Sequence, residues 1–180
     1  QQIKKAAKQE ERQKEIELSL RKKFKKSIFT PFAKAINDYE LIQEGDSICV
    51  CISGGNTFYL LQELKKKHLT ELLARRIREG MLYIGESAGA IIAAPDIEYN
   101  QIMDDKTLAP DLTDYTALNV FDHSVLPHIG EYPFETSSRE TLERYRNSLK
   151  LIPLNNHEAV LVNDQGYTIL RETSPEGSSL

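Results

Sequence analysis

The spacing of apolar side chains changes several times along the chain. From Gln1 to Lys26 apolar residues (Ile3, Ile16, Leu18, Leu20) are sparse among Lys, Glu, Gln and Ala, a mixture that favours helix by propensity but offers little to pack. Between Ile28 and Ile42 they recur at three- and four-residue steps (Ile28, Phe32, Ala35, Ile36, Tyr39). This spacing predicts an amphipathic helix with Pro31 in its first turn and Gly45 as its stop. Ser47–Ser53 is then a continuous β-branched and apolar run ending in Gly54-Gly55, the pattern of a buried strand in a parallel sheet. Asn56 or Thr57 opens the next helix, which carries Phe58, Leu60, Leu61 and Leu64 and ends in Lys65–Lys67. Thr70 caps another helix through Glu79, with Gly80 as its stop. Met81–Ile84 reads as a short buried strand, Gly85–Gly89 as a turn, and Ala90–Ala94 as a helix ended by Pro95. Irregular segments around Asp96–Asp114 lead to a strand over Val120–Leu126, closed by Pro127-His128. Ser137-x-x-Glu140 is a capping-box pattern for a helix reaching Leu149. Ala159–Asn163 and Tyr167–Arg171 predict a hairpin turned at Asp164-Gln165-Gly166. Strands alternating with helices argue for an α/β fold with a mainly parallel sheet flanked by helices.

Length and composition narrow this further. One ordinary globular domain fits 180 residues with 40% hydrophobic and 28% charged positions. No apolar run approaches the roughly 20 residues of a membrane span, and the start lacks the order of a secretory signal, so a cytoplasmic protein without a membrane partner is expected. The net charge of −4 conceals an asymmetry: residues 1–26 carry +6 and residues 27–180 carry −10. The basic segment interleaves Glu10, Glu11, Glu15 and Glu17 with its lysines and has no aromatic before Phe24. It reads as a solvated helix rather than a nucleic-acid footprint. Cys49 and Cys51 point the same way from one strand, in a geometry that disfavours a bridge, and are expected to be reduced. With no further cysteine, neither a metal site nor a cofactor is expected.

The chemistry concentrates in Gly85-Glu86-Ser87-Ala88-Gly89-Ala90. A G-x-S-x-G run between a strand and a helix has the context of a nucleophile elbow: a sharp turn exposes the serine hydroxyl, and backbone N–H groups at the helix start face developing negative charge. Such a serine needs a base. His128 follows a strand end through Pro127, the usual place for functional groups in open α/β sheets, and His157 is the rival. His68 ends a lysine-rich helix and His123 lies within a strand. For the orienting acid, Asp104, Asp105 and Glu158 all remain open. Gly54 and Gly55, at the end of the preceding strand, offer unhindered N–H groups that would complete an oxyanion hole with Ala88.

Residues 54–170 resemble the peptidase E (dipeptidase E) family of serine peptidases, whose fold is similar to class I glutamine amidotransferases and flavodoxin-like. The resemblance rests on Gly54-Gly-Asn-Thr-Phe58 with Leu60-Leu61, Leu82-Tyr-Ile-Gly-x-Ser-Ala-Gly-Ala90, Tyr115-x-Ala-Leu-Asn119 and Leu126-Pro-His128. It implies Ser87 as nucleophile, His128 as base and Asp104 as acid, with Asn156 standing where some relatives have a glutamate. It further implies hydrolysis of short peptides, by analogy those beginning with an acidic residue. Residues 1–53 resemble instead the opening of the tRNA 2-thiocytidine biosynthesis family of PP-loop ATP pyrophosphatases, through Lys25–Tyr39, Leu41–Asp46 and Cys49–Gly55. The lysine that follows Ser-Gly-Gly in that family is replaced by Asn56-Thr57-Phe58, so nucleotide chemistry is not expected.

Together these readings predict a helical segment over residues 1–46 from a different family, an N-terminally truncated α/β domain over 47–172 and a disordered tail over 173–180. The missing N-terminal strands are expected to impair activity, and the apolar edge they leave near Ser47–Ser53 would invite self-association. A tRNA-interacting or inactive hybrid is the alternative from another class. An esterase of the α/β-hydrolase type is a third reading, although its acid and histidine normally need a longer chain than the 93 residues after Ser87.

Overall fold

The computed structural model of the chain divides into two units, Gln1–Ile48 and Cys49–Leu180. It describes Gly45 and residues 48–171. The helices expected over residues 1–44 and the tail beyond 172 lie outside the described residues.

The second unit opens with strand β1 (Cys49–Ile52), helices α1 (Thr57–Lys66) and α2 (Thr70–Arg78), and strand β2 (Leu82–Gly85). β1 and β2 pair in parallel, Cys49 opposite Leu82 and Ile52 opposite Gly85, with the helices as the crossover. A short helix α3 (Ala88–Ile91) and 3₁₀ turns at Glu98–Ile102 and Lys106–Leu108 lead to β3 (Ser124–Leu126). Helix α4 (Glu135–Tyr145) then connects to β4 (Leu151–Pro153), which lies parallel to β3. An antiparallel hairpin of β5 (Glu158–Asn163) and β6 (Gly166–Arg171) follows. The α/β class is therefore as the alternation of patterns implies. Among the described residues, the strands form three two-stranded sheets.

The core gathers where α1 and α3 meet the 95–118 loops. Phe58, Leu61, Ile92, Ile97, Tyr99 and Leu118 are at most 2% exposed. Each such aliphatic or aromatic side chain contributes about 1.5–3 kcal/mol of burial free energy. A smaller cluster of Val125, Ile152 and Leu154 sits under β3 and β4.

Two helix ends show what local chemistry specifies. After α2, the Gly80 N–H reaches the Ile77 carbonyl and the Met81 N–H that of Arg76, a paired stop that requires the positive φ of 101° at Gly80. After α1 the same pair of bonds forms, His68 to Lys65 and Leu69 to Leu64, but His68 must take φ 55°. Replacing His68 with Gly is expected to stabilise the fold by about 0.5–1 kcal/mol, read as a higher denaturant midpoint at unchanged m.

Several expectations shift. Thr70 begins α2 without serving as its side-chain cap. The Ala90–Ala94 helix forms instead at Ala88–Ile91. The strand expected over Val120–Leu126 shortens to Ser124–Leu126, because the Val120 and Phe121 N–H groups turn to the Ala93 carbonyl. Helix α4 starts at Glu135, two residues before the expected capping serine, so Ser137 lies inside it and bonds back to the Phe134 carbonyl. β1 and β2 are also not buried on both faces. Val50, Ile52 and Tyr83 face the interior, whereas Leu82 and Ile84, 61% and 51% exposed, share the outer face with Cys49 and Cys51. The apolar run leads one to expect cover on both faces, and among the described residues helices cover one. Both thiols are free, their sulfurs 3.8 Å apart.

Candidate active site

The candidate residues Gly54, Gly55, Ser87, His128 and Asn156 follow the C-terminal ends of parallel strands. Gly54-Gly55 follows β1, Ser87 follows β2, His128 follows β3 and Asn156 follows β4. Strand ends in α/β folds splay loops into a shared crevice while the sheet fixes their spacing.

The turn at Ser87 is forced by packing. The Glu86 N–H continues the ladder to the Ile52 carbonyl, and the Gly89 N–H closes the turn onto the Glu86 carbonyl at 2.8 Å. A β-carbon on Gly85 would lie 2.6 Å from the Gly89 carbonyl carbon, and one on Gly89 would fall on the carbonyl oxygen of Ile52. Only glycine fits either place. Between them Ser87 is held at φ 50°, ψ −111°, an unfavourable conformation for a residue with a side chain. The Tyr83 hydroxyl donates to the Gly89 carbonyl at 2.6 Å and ties the elbow to β2, while burial pushes its phenol well above the ordinary tyrosine value.

Ser87 Oγ lies 2.9 Å from His128 Nε2, and His128 Nδ1 lies 2.7 Å from Asn156 Oδ1. An amide oxygen only accepts, so Nδ1 carries the proton and Nε2 is the acceptor for the serine hydroxyl. The imidazole also stacks on Phe134, centroids 5.1 Å apart and planes 19° from parallel. His128 is itself at φ 60°. Its loop is pinned by the Ile129 N–H on the Leu154 carbonyl and by the Gly130 N–H on the hydroxyl of buried Ser138. The Leu154 N–H bonds to the Leu126 carbonyl, which carries the β3–β4 ladder to the site and sets Asn155-Asn156 beside the histidine.

The other predicted residues are placed as follows. Gly54 lies beside Ser87, since a β-carbon there would sit 3.2 Å from Ser87 Cβ. Gly55 has φ 141° with open space where a side chain would project, and Ala88 is the buried first residue of α3. Asp104 is not on His128: its Oδ2 accepts from the Thr57 N–H at 2.7 Å and from Asn100 Nδ2 at 2.8 Å. The expected Ser-His-Asp104 arrangement is therefore corrected, because both ring nitrogens of His128 meet other side chains. Asp105 accepts from the hydroxyl and N–H of Thr107, which hold its carboxyl below the usual range. Glu158 accepts from the Asn155 N–H and from Arg171, and its carboxyl is likewise lowered. His157 is exposed, with its N–H on Asn155 Oδ1. Among the described residues no group of three or more His, Cys, Asp or Glu is arranged to hold a metal, and no helix is long and apolar enough to cross a membrane.

Asn156 enters the sequence reading only through the family resemblance, as the place where some relatives have a glutamate, because β4 is not predicted. Pro153 within Leu151-Ile-Pro-Leu154 weakens a strand assignment. The apolar run leading into Asn155-Asn156 was the available signal.

A sequence model of peptidase family S51 matches residues 27–170. The chain belongs to peptidase family S51. The matched range begins well before Gly54, so residues 27–53, set apart above by their likeness to a tRNA-modifying family, fall within the peptidase pattern. The S51 chain is 46% identical over 116 residues to an uncharacterized peptidase of Pasteurella multocida, covering 64% of this chain and 56% of that protein. It is 47% identical over the same length, with the same coverage, to an uncharacterized peptidase of Listeria innocua. It is 35% identical over 103 residues to peptidase E of Salmonella typhi, 57% of this chain and 43% of that one. The chain thus spans about half the length of the curated relatives it matches. A crystal structure of a candidate peptidase E protein from Listeria monocytogenes EGD-e superposes with a TM-score of 0.66 at 36% identity, over 79% of this chain and 66% of that one. The α/β fold is therefore that of the peptidase E structures.

Proposed function

We propose that the chain hydrolyses short peptides with Ser87 as nucleophile, His128 as general base and Asn156 as the group that orients it. The observation that carries this is the continuous hydrogen-bond line from Ser87 Oγ through the imidazole to Asn156, at 2.9 and 2.7 Å. His128 Nε2 takes the serine proton as Oγ attacks the scissile carbonyl. The N–H groups of Gly55 and Ala88 receive the oxyanion, and the imidazolium returns its proton to the leaving amine. The acyl-enzyme is then released by water through the same groups. A peptide with an acidic first residue is the substrate that the likeness to peptidase E favours.

Asn156 fixes the tautomer of His128 but brings no charge to stabilise the imidazolium. Replacing it with Asp supplies that charge, so kcat should rise by about two- to tenfold. Asn156→Ala should lower kcat by roughly 10–100-fold. Hydrolysis of a dipeptide panel with acidic and neutral first residues, across pH, tests both. An Asn156→Ala variant with wild-type kcat at every pH would remove Asn156 from the mechanism.

Self-association belongs to the same proposal. It rests on the outer face of β1 and β2, where Leu82 and Ile84 are exposed. A concentration-dependent mass in sedimentation, lowered by Leu82→Lys, is the expected result.

A further inference from the structure

The carboxylate of Asp104 is built into the start of α1 with more care than a loop acid needs. Asn100 and Thr57, its neighbours, are fully buried, and Asp104 is half-buried. Its Oδ2 receives the Thr57 N–H, one of the backbone donors left without a partner at a helix start, and the Asn100 amide. That amide also donates to Thr57 Oγ1 at 3.0 Å, closing a three-residue ring of hydrogen bonds. Turning Asn100 over would set its oxygen against the carboxylate. Its present orientation leaves the buried Asn100 Oδ1 without a partner. The ring therefore keeps its donors on Asp104 even at the expense of an orphaned acceptor. A second tie runs alongside, from Asn56 Nδ2 to the Asp105 carbonyl at 2.9 Å.

Thr57 is two residues beyond Gly55, and Gly54 lies close enough to Ser87 that a β-carbon on it would sit 3.2 Å from Ser87 Cβ. We propose that Asp104 is a positioning residue: through Thr57 and Asn100 it holds the Gly54-Gly55 segment against Ser87 and keeps the Gly55 N–H where the oxyanion forms. The proposal rests on the reading of Ser87 as nucleophile and gives Asp104 a task apart from orienting the base. Both bonds land on one oxygen, Oδ2, so an amide at position 104 keeps them through its own oxygen, whereas alanine removes the acceptor and leaves the Thr57 N–H and the Asn100 amide without it.

Three measurements on Asp104→Ala test it. Peptide hydrolysis should show kcat reduced by about 10–100-fold with KM changed less than threefold, since the contact acts in the transition state. The pH dependence of kcat/KM should keep the wild-type shape. Hydrogen exchange at the Thr57 amide should quicken by about tenfold or more, a readout that does not depend on activity. Asp104→Asn, which keeps one acceptor oxygen for both donors, should recover most of both losses. Wild-type exchange at Thr57 in Asp104→Ala, or a changed pH profile, would overturn the proposal. Absence of Ser87-dependent hydrolysis in the wild type would instead overturn the functional reading, while the exchange experiment still decides the role of Asp104.

Discussion

Replacing Ser87 with Ala is expected to reduce peptide hydrolysis by roughly 10³- to 10⁶-fold, and His128→Ala by a similar factor. The two losses should not add. Oγ is a nucleophile only when Nε2, 2.9 Å away, accepts its proton, so removing either partner disables the same step. Neither change should weaken the fold by more than about 1 kcal/mol, since both side chains are only half-buried. Removing Ser87 also leaves φ 50° in place, so no strain is relieved. Steady-state rates of the single and double variants, measured beside their denaturant midpoints, check this. Additive losses would mean that the two groups serve separate steps.

The largest expected effect on stability comes from Gly89→Ala. A single methyl there meets the Ile52 carbonyl at the end of β1, and no flexible side chain is available to yield. Either β1 moves away from α3, breaking the Glu86–Ile52 ladder bond, or α3 unwinds at its first turn. Both routes disturb buried Ala88, Ile91 and Ile92, and the cost should be about 3 kcal/mol or more. The comparison is Ala90→Ser on the neighbouring half-buried position, where about 1 kcal/mol or less is expected. Urea unfolding of the two variants beside the wild type gives the answer directly.

How much of this the sequence carried depended on how local the cause was. The elbow was legible because Gly85 and Gly89 are demanded by backbone contacts within one strand-turn-helix unit, and those contacts leave a pattern of five residues. Asn56, Gly80 and the Asp164–Gly166 turn were legible for the same reason, each meeting a need within a few residues. The partner of His128 was legible only through the family resemblance at Asn156, because that residue is 28 positions away and is placed by the β3–β4 pairing. Asp104 had the right residue type and a loop that could reach the site. Only the fold shows its carboxylate turned to Thr57, 47 residues earlier. The apolar run at β1 predicted cover on two faces, whereas the described helices pack on one.

Covalent labelling of Ser87 tests the central claim most directly. The full chain is treated with a fluorophosphonate and the modified residue is located by mass spectrometry, with Ser87→Ala and His128→Ala treated in parallel. The expected result is one adduct, on Ser87, absent from Ser87→Ala and formed at least tenfold more slowly in His128→Ala. Equal labelling of the wild type and Ser87→Ala, or an adduct on a residue outside the Ser87–His128 pair, would contradict it.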